Sequence, residues 1–119
     1  MAIAVYFEAR SEPIDGQRAV AEVIMNRVAD GRYPDTVCGV VFEDRQFSFT
    51  HDGNSLTMRP SKAKDIAIEV AKSVLESPDD SITSTHYHAD YVNPYWSKAY
   101  DREFTIGRHI FYTNNTPNR

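Results

Sequence analysis

Residues 61–91, SKAKDIAIEVAKSVLESPDDSITSTHYHADY, carry the change of period on which the fold turns. In the first half Ala63, Ile66, Ala67, Val70, Ala71, Val74 and Leu75 recur at i, i+3, i+4, i+7 and i+8, the apolar stripe of a helix buried along one face. Ser61 stands where an N-cap hydroxyl is needed, and Pro78-Asp79-Asp80 ends the stretch. Beyond that break, Ile82 to Tyr91 is rich in Thr, Tyr and His with no helical period, and a strand is predicted there. Phe104 to Thr113 reads as a second, antiparallel strand, reached through the longer Asn93 to Glu103 connection.

Working outward, Ala2 to Arg10 is a short apolar segment stopped at Ser11-Glu12-Pro13, because a residue before proline is pushed out of helical geometry. A short N-terminal helix is predicted. Pro13 and Asp15 open the next one, in which Ala19, Val20, Val23, Ile24 and Val28 fall at helical spacing until Asp30-Gly31. Gly31 to Met58 holds Pro34, Cys38-Gly39 and Asp52-Gly53 without a sustained period, so loops and short turns are expected, studded with Phe42, Phe47 and Phe49. The fold class is therefore α+β, with about three helices and a C-terminal antiparallel strand pair in one domain over residues 1–113, followed by a polar tail at 114–119.

Length and composition agree. The chain has 119 residues, 41% hydrophobic and 25% charged, enough for one self-sufficient core. Its one cysteine, Cys38, excludes an internal disulfide and a Cys-based zinc knuckle, and its Val37-Cys38-Gly39-Val40 setting reads as a buried small hydrophobe. A formal net charge of −4 argues against nucleic acid as the main partner, since phosphate neutralisation needs clustered Lys and Arg. The apolar runs Ala2 to Phe7 and Val40 to Phe42 are far shorter than the roughly 20 residues of a membrane span. The start Met1-Ala2-Ile3 lacks the basic and apolar regions of a signal peptide, so export by another route or a removed segment is expected.

Three clusters carry candidate chemistry. Glu8 ends an apolar run; if Ala4, Val5 and Phe7 pack inward, desolvation at its edge favours the protonated carboxyl that a general acid needs. The alternative is a carboxylate that simply pairs with Arg10 or with a later arginine. The block Thr85-His86-Tyr87-His88, followed by Asn93-Pro94-Tyr95-Trp96, places His86 and His88 on one strand face. They can be two legs of a metal site completed by His109 or Asp90, or hydrogen-bonding groups for a substrate. Tyr87, Tyr91, Tyr95 and Trp96 form an aromatic patch suited to stacking on sugar rings, or to plain packing. In Glu43-Asp44-Arg45-Gln46-Phe47-Ser48-Phe49 the acids can supply a second glycosidase carboxylate or simply be solvated, while Gln46 and Ser48 offer neutral groups that orient a sugar. No P-loop, nucleophile elbow, HExxH or EF-hand pattern occurs.

Taken in order, Ala4-Val5-Tyr6-Phe7-Glu8-Ala9-Arg10, Gly16-Gln17-Arg18-Ala19-Val20-Ala21 to Asn26-Arg27-Val28, Tyr33-Pro34 and Cys38-Gly39-Val40-Val41 resemble the spore-cortex-lytic (SleB-like) cell-wall hydrolase family. Gln46-Phe47-Ser48, Thr85 to Ala89, Pro94-Tyr95-Trp96 and Ile106 to Tyr112 extend the resemblance from residue 2 to about 113. It implies a lysozyme-related α+β catalytic domain that cleaves peptidoglycan between N-acetylmuramic acid and N-acetylglucosamine. By motif position it implies one catalytic glutamate, Glu8, working without a second carboxylate as in lytic transglycosylases. No accessory peptidoglycan-binding domain accompanies these blocks, so ordinary peptidoglycan, attacked by a bacterial envelope enzyme or a phage lysis enzyme, is the expected substrate.

The resulting expectations are definite. Glu8 is catalytic; Gln46, Phe47, Ser48, Tyr87, His88, Asn93 and Trp96 line a glycan cleft between the helical and strand parts; no metal or other cofactor is needed; and the protein is a monomer. Two alternatives stay open: a metal-assisted cell-wall hydrolase using His86 and His88, and a non-catalytic glycan-binding module.

Overall fold

A computed structural model describes residues 1–43 and 57–114. Its first helix, α1 (Ala2–Ala9), is the hub of the core. Ala4 joins Ile24, Val40 and Val41; Val5 and Tyr6 join Ala21, Ala67, Val70 and Val74; Ala9 joins Val20, Val23 and Phe111. A helix apolar on nearly every side has no solvent face to keep, and this one is walled in by its neighbours. Those are α2 (Ile14–Ala29), the five-residue α3 (Val37–Val41) and α4 (Lys62–Glu76). The Ser61 hydroxyl caps α4 as predicted, accepting from the Lys64 N–H at 3.2 Å.

Three strands, not two, follow. β1 (His86–Ala89), β2 (Asp101–Ile106) and β3 (His109–Thr113) form an antiparallel sheet in the order β1-β3-β2. The segment expected to be one strand over Phe104 to Thr113 is a hairpin that turns at Gly107-Arg108, with Gly107 at φ +57. Part of the expected connection, from Asp101 onward, belongs to β2. The first predicted strand is also shorter, for a physical reason: before His86 the backbone finds side chains instead of a full ladder. Asn26 Nδ2 donates to the Ile82 and Ser84 carbonyls at 2.9 and 2.8 Å, and Arg27 Nε to the Thr85 carbonyl at 2.7 Å. On the other side, Glu103 lies where the β2–β3 register shifts; its carboxylate accepts from the N–H and hydroxyl of Thr83 and from the Ser84 hydroxyl.

Alternation divides the sheet. Tyr87, Phe111, Phe104 and Ile106 face the helices, with Phe111 fully buried. His86, His88 and Tyr112 face away, and a single 3-10 turn at Tyr95–Lys98 lays Trp96 over them. Cys38, expected to be buried, is exposed: in the short α3 Val40 and Val41 take the inward positions and leave the thiol outside. Among the described residues no helix is long and apolar enough to cross a membrane.

Candidate active site

Glu8 sits in the last turn of α1, one residue before the buried Ala9, so the carboxyl is carried on a helix that packs into all three parts of the core. It meets the sheet directly: the Tyr87 hydroxyl donates to Glu8 Oε1 at 2.7 Å across 79 positions of sequence. Arg10, the salt partner weighed from sequence, instead lies over the Tyr6 ring, 5.0 Å from its centroid, and donates to the Tyr6 hydroxyl at 3.0 Å. Tyr6, Phe7 and Arg10 of α1 and residues 57–60 border a cavity of about 600 Å³, whose lining does not include Glu8.

Burial, then the charge of Glu8 and its hydrogen bond, push the Tyr87 hydroxyl well above its ordinary range. Tyr87 therefore keeps its proton at any working pH and is a permanent donor. Its ring packs against two rings of β3, 5.0 Å from His109 and 5.5 Å from Phe111. Behind β1 lies Arg27, buried, with its guanidinium 5.0 Å over the Tyr33 ring. Burial lowers its affinity for its proton, and the nearby Tyr33, Tyr87 and Glu43 act in the opposite sense. An arginine remains charged regardless. Sequence reasoning gave Arg27 and Tyr33 no role. The signal for Arg27 was present: Val20, Val23, Ile24 and Arg27 share one helical stripe, and a cation inside an apolar stripe needs a reason.

The histidines are spoken for. His88 Nδ1 donates to the Ala89 carbonyl at 2.7 Å, and that tautomer leaves Nε2 to accept from the Tyr112 hydroxyl at 3.0 Å. His86 contacts the Thr85 hydroxyl at 2.9 Å, and burial together with Arg27 and Arg32 pulls its pKa down to about 4. His109, which was to complete a metal triad, projects to the helical face with Tyr87 and Phe111, opposite to His86 and His88. Its ring is kept neutral chiefly by burial, against the pull of Glu12 and Asp90. Among the described residues no three His, Cys, Asp or Glu side chains converge as a metal site.

The structure thus brings Glu8 and Tyr87 together and separates them from His88 and Trp96, which pack on the far face of the sheet. Trp96 stands 5.0 Å from His86, 5.7 Å from His88 and 5.3 Å from Tyr112, ring to ring. Asn93 is exposed in the loop between, its Oδ1 accepting from Ser97 at 3.2 Å. Gln46, Phe47 and Ser48 lie outside the described residues.

Known proteins share this sequence pattern and fold. The cell wall hydrolase profile matches residues 11–112, beginning just after Glu8. The spore cortex-lytic enzyme of Oceanobacillus iheyensis is 40% identical over 112 residues, covering 93% of this chain and 39% of that protein. Its Bacillus subtilis counterpart is 36% identical over 112 residues, covering 93% and 35%. The chain spans between a third and two fifths of the length of these curated relatives. The catalytic domain of the germination-specific lytic transglycosylase SleB from Bacillus anthracis superimposes with a TM-score of 0.81 at 36% identity, covering 95% of this chain and 90% of that one. The catalytic domain of the Bacillus cereus SleB protein gives 0.80 at 36% identity, covering 95% and 86%. With a profile match over most of its length and a fold shared with two SleB catalytic domains, this chain belongs to the cell wall hydrolase family.

Proposed function

We propose that the chain is a peptidoglycan-cleaving lytic transglycosylase domain in which Glu8 is both acid and base. The observation that carries this reading is the placement of Glu8: a carboxyl on the central helix, held by a donor from the sheet, in a fold shared with a lytic transglycosylase catalytic domain. With Oε1 accepting from Tyr87, the transferable proton belongs on Oε2. Protonation of the oxygen linking N-acetylmuramic acid to N-acetylglucosamine lets the C1–O bond break with oxocarbenium character at C1. The carboxylate so formed takes the proton of the muramyl 6-hydroxyl as O6 attacks C1, closing a 1,6-anhydro ring and restoring the acid. One carboxyl serves both halves, so no second is required. Asn93, together with Gln46, Phe47 and Ser48, is assigned to the glycan; His88 and Trp96 are assigned to packing. The place of action is the bacterial cell envelope, reached by a bacterial or phage-encoded protein.

Mass spectrometry of digested peptidoglycan tests this. Anhydromuramyl ends are expected, unchanged by EDTA. Reducing muramyl ends mean that water is the acceptor, chelator-sensitive cleavage means a metal hydrolase, and binding without cleavage means a glycan-binding module.

A further inference from the structure

We infer that Tyr87 is a positioning residue that selects the working rotamer of Glu8, and not a sugar contact. The inference rests on Glu8 being the acid. A glutamate has three side-chain torsions, and α1 fixes only where they start. Something outside the helix must choose among the rotamers, and the 2.7 Å bond from Tyr87 does so. For this the donor must itself be immobile. Tyr87 faces Phe111 across the β1–β3 ladder, and its ring packs against the His109 and Phe111 rings of β3 at 5.0 and 5.5 Å. Two residues before it, Arg27 clamps the Thr85 carbonyl at 2.7 Å, and Asn26 holds Ser84 at 2.8 Å, so the strand enters the site at a set height. A hydroxyl already engaged by Glu8 is poorly placed to serve a sugar. It is well placed to hold the acid where the glycosidic oxygen arrives.

The test is Tyr87→Phe, which deletes the hydroxyl and keeps the ring, assayed on soluble glycan strands. Loss of this hydrogen bond, and of the rotamer it selects, is expected to lower kcat about 10- to 100-fold, with KM held within about twofold. Glu8→Asp supplies the second background. Its carboxyl is retracted by one methylene, so the bond from Tyr87 is expected to be lost, and adding Tyr87→Phe there should cost less than about threefold more. Where loss of the hydroxyl unfolds the domain, the wild-type protein answers instead: a tyrosine hydroxyl proton protected from solvent exchange is expected by NMR, displaced by Glu8→Ala. A raised KM with kcat intact, an equal loss in both backgrounds, wild-type kinetics, or no protected proton each overturns the inference. Turnover by folded Glu8→Gln is a separate result, and it sinks the proposed function instead.

Discussion

Replacing Trp96 by alanine separates two roles that look alike in sequence. The indole covers the outer face of the sheet, within 6 Å of the rings of His86, His88, Tyr100 and Tyr112. A fully buried Trp→Ala change costs about 3–5 kcal/mol, and Trp96 is only partly buried, so about 2–3 kcal/mol is expected. At roughly 2.1 cal/mol/K per residue, a 119-residue domain has an unfolding entropy near 250 cal/mol/K, and Tm should fall by about 8–12 °C. The assay is calorimetry beside titration with a soluble glycan. A packing role predicts this Tm loss, partial recovery in Trp96→Phe, and glycan affinity unchanged in the folded fraction. Tm within about 3 °C of wild type, with affinity reduced tenfold or more, would refute it and return Trp96 to the cleft.

Three further expectations follow from particular contacts. Gly107→Ala should cost about 2 kcal/mol by urea unfolding, because φ is +57 and the new Cβ would come within 2.5 Å of Glu12 Oε1, the acceptor of the Arg108 N–H; an unchanged midpoint contradicts this. Glu22 is fully buried and accepts the Asp79 N–H at 2.8 Å. Glu22→Ala should therefore lose roughly 2–3 kcal/mol, while Glu22→Gln, which retains an acceptor, should lose clearly less; equal losses would mean that the bond is irrelevant. His86 has a folded pKa near 4 against an ordinary 6.5, so the unfolded chain binds the extra proton between those values. Its contribution is fully present above pH 6.5 and diminishes as pH falls toward 4, and His86→Gln should flatten the stability profile in that window; an unaltered slope refutes the assignment.

α2 and α4 were legible because each is long enough for its apolar stripe to repeat, as Val70, Ala71 and Val74 do on α4, and α1 because an apolar run ends at Ser11-Glu12-Pro13. α3 was not: five residues hold barely one turn, and Gly39 within it reads as a break. The hairpin was missed because Ile106 to His109 lacks the usual Asn-Gly signal, although a glycine inside a strand pattern is itself a hint of a turn. The apolar run made Glu8 a candidate and only the family resemblance made it the expected acid; its partner could not be read at all. The bond to Tyr87 depends on how β1 docks against α1, set by Asn26 and Arg27 gripping backbone carbonyls 56 to 58 positions away. Local patterns do not encode such contacts, and for the same reason the two faces of β1 were merged into one expected cleft.

The most direct measurement is the product spectrum of peptidoglycan digested by wild type and by Glu8→Gln at equal folded concentration. Wild type should release anhydromuramyl-terminated fragments, and the amide variant, nearly isosteric but unable to deliver a proton, should release them at least about 10²-fold more slowly with an unchanged Tm. Wild-type product at a near-wild-type rate from folded Glu8→Gln would contradict the assignment of the reaction to Glu8.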